Sequence, residues 1–254
     1  METRIACVEG RGPNRVLVLH GWALDSGIWL ASRSLTDLDN FTYAYMDFPG
    51  YGTNRTIPPC ECLDSMAKAA LNAADELGWD RFMVLGHSMG GATAIRVATL
   101  APGRVMSVVA LTPVSAEGTP LPDNIYNQYA NAWSDPGAAL HSLAPNLSSR
   151  QLANIVSRCH ETMDHNAWKA YLANWTGANF IDNLGAFNGP TTVLYGGDDP
   201  LVNPDYLSRT MDGLHDGTLV GIDGAGHYPM VEQTEATVQL WEKALTDAAV
   251  GAKN

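Results

Sequence analysis

The sequence predicts an α/β domain: a mostly parallel sheet of about seven to eight strands, helices on both faces, and a small helical insertion. Three observations lead there. Short, almost wholly apolar runs alternate with segments of helical period, as in successive βα units. Most of these runs have no polar alternate face, so helices must cover them on both sides. One stretch, residues 113–188, interrupts the alternation with no convincing strand. The chain has 254 residues, 46% of them hydrophobic and 17% charged, enough to bury the core of one large domain.

The expected strands, in order, are Ile5–Val8, Val16–Leu19, Tyr43–Met46, Phe82–Leu85, Val105–Leu111, Thr192–Tyr195 and Thr218–Ile222. Between them, residues 64–77 place Met66, Ala69, Ala70, Ala73, Ala74 and Leu77 on one helical face, and Gly78 supplies the left-handed residue that ends many helices. A second helix, residues 89–100, stops before Pro102-Gly103. The last runs from about residue 232 to 248 and leaves a fraying tail. Residues 1–112 and 189–254 thus form the core. Residues 113–188 form a helical cap or lid, because a structureless loop of that length is out of keeping with a compact domain.

Composition narrows the function. A net charge of −12 disfavours nucleic acid and anionic membranes as partners, since both require a cationic surface. No segment approaches the roughly 18 uninterrupted apolar residues that cross a bilayer, and METRIACVEGRG has no apolar stretch of signal-peptide length, so a cytoplasmic protein is expected. Cys7, Cys60, Cys62 and Cys159 are too few and scattered for a disulfide framework, and Cys60-Glu61-Cys62 fits no zinc knuckle or C-x-x-C pattern. Free thiols are expected. His160 to His165 lacks the H-E-x-x-H spacing of a metal helix, so neither a metal nor another cofactor is expected.

Gly86-His87-Ser88-Met89-Gly90 matches G-x-S-x-G, placed after a buried strand and before a helix. In such a turn the serine backbone is strained and its neighbours crowd closely, so glycines flank it two residues away on either side. The hydroxyl then projects above the sheet at a helix N-terminus, which favours negative charge. A serine hydroxyl becomes a good nucleophile only beside a base, and the base needs an acid to hold its tautomer. Two later strands end in such groups: Gly196-Gly197-Asp198-Asp199 and Gly224-Ala225-Gly226-His227. Both lie just past the C-terminal ends of strands, where open α/β sheets build their sites.

These segments, with Leu19-His20-Gly21-Trp22, Asp47-Phe48-Pro49-Gly50-Tyr51-Gly52 and the downstream Glu232, resemble the α/β-hydrolase fold serine hydrolases over nearly the whole chain apart from the cap. The resemblance implies Ser88 as nucleophile, His227 as general base and acid, and Asp199, the fourth residue of G-x-x-D, as the orienting carboxylate. Asp198 is left as a turn residue. The oxyanion hole implied is the pair of backbone N–H groups of Trp22 and Met89. His20 is expected to be structural and His87 to pack into the fold. One departure is Asn54, where many relatives carry serine.

Such a triad performs acyl transfer, so the expected reaction is hydrolysis of a small-molecule ester or lactone of medium, mostly apolar character. The His-Gly-Trp turn and compact cap are similar to small bacterial carboxylesterases, including methyl ester esterases of pimeloyl type. Two alternatives share the motifs: hydrolases that cleave carbon–carbon bonds of ring-fission products, and haloperoxidase-like esterases. A ring-fission substrate carries a second carboxylate, so an arginine facing Ser88 would favour that reading, with Arg150 and Arg158 as candidates. A non-catalytic ligand receptor on the same fold is a third. Trp22, Trp133, Trp168, Tyr171 and Trp175 are the candidate pocket residues, and a homodimer is compatible with the sequence.

Overall fold

In the computed structural model, which describes residues 4–251, seven strands form one sheet. They are β1 (Ile5–Gly10), β2 (Asn14–Leu19), β3 (Phe41–Met46), β4 (Phe82–His87), β5 (Val105–Leu111), β6 (Pro190–Gly196) and β7 (Asp216–Ile222). Their order across the sheet is β1-β3-β2-β4-β5-β6-β7. β1 pairs antiparallel with β3 and every other pairing is parallel. β4 therefore occupies the middle of the sheet. All six of its residues are buried, as the apolar run Phe82–Leu85 requires.

The helices are α1 (Leu30–Arg33), α2 (Leu63–Glu76), α3 (Met89–Leu100), α4 (Asp123–Ala130), α5 (Gly137–Leu143), α6 (Ser149–Thr162), α7 (His165–Gly177), α8 (Pro204–Gly213), α9 (Pro229–Glu232) and α10 (Thr234–Gly251). α2 buries Met66, Ala67, Ala70, Ala73 and Ala74 completely and is followed by Gly78 at φ +67°. α3 buries every residue but Leu100, and its small side chains let it lie close on β4 and β5. Arg96 of α3 holds Asp64 of α2 through two bonds of 2.7 and 3.0 Å. α10 packs on β5, β6 and α1.

Between β5 and β6 the chain forms α4 to α7 and short 3₁₀ turns, with no strand. Sequence capping explains two of these helices. Ser148 and Gln151 make a reciprocal capping box at α6, and the Asp164 side chain accepts the Asn166 N–H at α7. The C-terminal helix expected from about residue 232 to 248 is α10, and it is preceded by the short α9, from which Gln233 separates it with a non-helical conformation. No helix among the described residues is long and apolar enough to cross a membrane.

Candidate active site

The chain leaves β4 at His87 and turns at Ser88 with φ 54° and ψ −118°. For a residue with a side chain this conformation stores about 1–3 kcal/mol of strain, and it persists only where neighbours fix it. Here they do: Ser88 N–H donates to Leu111 O at 2.9 Å, and Ser88 O accepts N–H groups of Gly91, Ala92 and Val114. A Cβ at Gly86 would strike the Gly90 carbonyl, and a Cβ at Gly90 would strike the carbonyls of Leu19 and His20. The two glycines are needed because backbone, not side chain, fills the space around the turn.

Ser88, Asp199 and His227 come together above the C-terminal sheet edge. His227 Nε2 lies 3.0 Å from Ser88 Oγ, and His227 Nδ1 lies 2.7 Å from Asp199 Oδ2. The other Asp199 oxygen accepts the N–H groups of Leu201 and Val202, each at 2.9 Å. With its carboxylate bonded on both sides and its side chain fully buried, Asp199 orients the imidazole so that Nδ1–H faces the acid and Nε2 faces the hydroxyl. Asp198 is exposed and its carboxylate reaches only as far as Asn146.

The loop carrying His227 is pinned as firmly as the ring. Glu232 accepts the N–H groups on either side of it, Gly226 at 2.6 Å and Tyr228 at 2.8 Å. The His227 carbonyl accepts from His87 Nε2–H at 2.8 Å and from the Thr112 hydroxyl at 3.1 Å. His87 thus does more than pack: it holds His227 through the backbone, and burial first, then the neighbouring His227, push its pKa well below the usual imidazole range. Burial also depresses His20, with Asp47 opposing. His20 accepts the Phe48 N–H at Nε2 and donates from Nδ1 to the Gly21 carbonyl, which fixes the turn beside Ser88.

That turn approaches the serine closely. A Cβ on Gly21 would lie 2.7 Å from His87 Nδ1 and 3.2 Å from Ser88 Cβ. The next N–H, that of Trp22, and the Met89 N–H at the start of α3 have no hydrogen-bond partner among the described residues. Two unpaired donors beside an aligned hydroxyl, imidazole and carboxylate are the components that acyl transfer requires.

The sequence profile of the Alpha/beta hydrolase family matches residues 16–240. This chain belongs to the alpha/beta hydrolase family. It is 27% identical to a 2-hydroxy-6-oxononadienedioate/2-hydroxy-6-oxononatrienedioate hydrolase from Pseudomonas sp, covering 91% of this chain and 87% of that one. It is also 27% identical to a pimeloyl-[acyl-carrier protein] methyl ester esterase from Pseudoalteromonas atlantica, covering 93% and 96%. A solved thermophilic esterase from Thermogutta terrifontis shares the fold with a TM-score of 0.76 at 23% identity, covering 95% of this chain and 92% of that one.

Within this alpha/beta hydrolase the cavity over Ser88 is small, about 20 Å³. Val114, Leu143 and Trp175 of the β5–β6 insertion close it from one side, and Trp22, Leu201, Val202, Tyr206 and Tyr228 from the core. Among the described residues, no lysine or arginine lines it. A larger cavity of about 760 Å³ lies between α10 and strands β5 to β7 and includes none of the three aligned residues.

Of the aromatic residues singled out by sequence, Trp22 and Trp175 reach the cavity. Trp133, Trp168 and Tyr171 do not line it. Tyr171 is fully buried, donating to the Pro49 carbonyl and accepting the Cys60 N–H. Trp168 is fully buried and donates its indole N–H to Tyr129 O, and Trp133 lies outside it against His160 and His165. Helical spacing could not separate a core aromatic from a pocket one. Leu201, Val202 and Tyr228 carried a signal that sequence reading passed over, since they lie within three residues after Asp199 or His227. Arg150 is exposed, and Arg158 is committed to Asp25. Among the described residues no cluster of His, Cys, Asp or Glu is suited to hold a metal.

Proposed function

We propose that this chain is a serine hydrolase that cleaves a small-molecule carboxylic ester or lactone, of medium size and mostly apolar character, through an acyl-enzyme on Ser88. The observation that carries the reading is the alignment of Ser88, His227 and Asp199 beside the unpaired N–H groups of Trp22 and Met89. In the forward step Ser88 Oγ attacks the carbonyl carbon while its proton passes to His227 Nε2. The carbonyl oxygen becomes an oxyanion held by the two N–H groups. Collapse of that intermediate breaks the bond to the leaving oxygen, which takes the proton from His227. Water then repeats the sequence against the acyl-enzyme, releasing the acid and restoring Ser88.

The substrate class follows from the lining. A wall of Trp22, Val114, Leu143, Trp175, Leu201 and Val202 favours an apolar acyl group, with Tyr206 and Tyr228 as neutral polar points. The named substrate of the Pseudomonas relative is a dicarboxylate. A dianion in this cavity would lose its hydration without meeting a cation, which is costly. The ester reading is therefore preferred to cleavage of a dicarboxylate. A cavity of about 20 Å³ holds roughly one water, so residues 113–188 act as a cap that yields when substrate enters.

A nitrophenyl ester series from acetate to decanoate tests this. With roughly 0.8 kcal/mol per buried methylene, kcat/KM is expected to rise by about tenfold or more from acetate to a medium chain. Ser88→Ala should abolish turnover. Acetate hydrolysed as well as the longer esters, or a dicarboxylate preferred to both, would overturn the substrate assignment.

A further inference from the structure

The turn that carries the Trp22 N–H is fastened on two sides. On the core side His20 holds the Gly21 carbonyl, and the Asp47 carboxylate accepts the Ser26 N–H at 2.7 Å. On the other side the fastening is to the insertion. The Trp22 indole N–H donates to the Trp168 carbonyl of α7 at 3.0 Å, and its ring sits 4.1 Å from Trp168, 6.0 Å from Trp175 and 6.2 Å from Tyr129 between ring centres. Three residues on, the buried Asp25 carboxylate is gripped by the Arg158 guanidinium of α6. One bond is Nη2 to Oδ2 at 2.7 Å, and the other joins Nε to Oδ1. Gly27 is what admits Arg158, since a Cβ there would occupy the guanidinium's place.

We propose that Trp22 and the Asp25–Arg158 pair are positioning residues through which the insertion sets the oxyanion donor. The inference rests on the reading that the Trp22 N–H serves the oxyanion. The insertion touches the segment Trp22 to Asp25 at both ends, so seating α6 and α7 places the Trp22 N–H, and lifting them removes two of the supports that hold it. The cavity over Ser88 is too small for an ester until the insertion yields, so substrate entry loosens the donor and closure over bound substrate restores it. The catalytic power is then greatest when the insertion is closed over substrate. Arg158, one of the two arginines that sequence offered as partners for a substrate carboxylate, has this positioning role instead because its charge is already matched by Asp25.

The test compares Trp22→Phe, Arg158→Met and Arg158→Lys with the unmodified chain, using kcat and KM on a medium-chain nitrophenyl ester and the affinity of a trifluoromethyl ketone. That ketone forms a tetrahedral adduct with serine whose oxyanion occupies the hole. Misplacement of a catalytic group by about 1 Å costs on the order of 100-fold, so Arg158→Met is expected to lower kcat about 10- to 100-fold with KM within about twofold. Ketone affinity should fall by the same factor. Trp22→Phe, which keeps the backbone donor and an aromatic ring, should lower kcat about tenfold, and Arg158→Lys should recover most of the loss. Each variant is melted to establish that it is folded. A folded Arg158→Met or Trp22→Phe with unchanged kcat and ketone affinity, or with a change in KM alone, overturns the proposal. An unmodified chain that neither hydrolyses esters nor binds the ketone overturns the underlying reading along with it.

Discussion

Asn54 shows what one residue can decide. Its amide donates to the carbonyls of Asp47 and Arg4, at 2.6 and 2.8 Å, and accepts the Arg4 N–H at 3.0 Å. The side chain is fully buried and joins the start of β1 to the loop after β3. A serine there is too short to make all three bonds, so Asn54→Ser is expected to lower stability by about 1–3 kcal/mol while leaving kcat intact, as denaturant melts and ester kinetics would show. Glu232 behaves oppositely, because its two bonds flank His227. Glu232→Gln turns one acceptor into a donor facing an N–H, and about a tenfold fall in kcat is expected from the displaced His227. A kcat equal to that of the unmodified chain would show that the loop holds without this clamp. Ser88, Asp199 and His227, which the fold brings together, could be singled out from sequence as candidates because each follows a strand and is announced by local glycines. Asp25 and Arg158 carry no such signal, since their partnership joins residues 133 positions apart.

At the scale of elements, the inner strands were legible because they are largely buried, as β4 is at every residue, and the edge strands β1 and β7, which are not, because each still carries a short apolar run. Even so β7 reaches back to Asp216, two residues before its expected start, through edge residues that are exposed and not apolar. α8 was missed although Asn203-Pro204 marks its start, with the Asn203 side chain accepting the Tyr206 N–H at 3.0 Å. The helical character of residues 113–188 could be read from length and composition, but its orientation could not, because it depends on contacts such as Trp22 with Trp168. α6 matters most there, since it carries Arg158. Ser148→Ala removes its capping box and is expected to cost about 1 kcal/mol, visible as faster amide hydrogen exchange confined to residues 149–162. Uniform exchange across the molecule would mean that α6 has no independent stability.

The whole molecule records its buried histidines in its stability. His20 and His87 are both held neutral, with pKa values below those of the unfolded chain. Where pH lies between the two values the unfolded state binds more protons, so stability falls as pH drops from about 7.5 towards 5. Glu242, raised by burial, pulls the other way over the lower part of that range. A melting temperature that stays flat or rises on acidification would contradict neutral burial of the two rings. The central claim is that the fold assembles an activated serine, and intact-protein mass spectrometry after exposure to a fluorophosphonate tests it most directly. Ser88 Oγ displaces fluoride at phosphorus, and its proton leaves with the fluoride as HF. The account predicts a single adduct, mapped to Ser88 and absent from Ser88→Ala. No adduct on folded protein, or one that persists in Ser88→Ala, would contradict it.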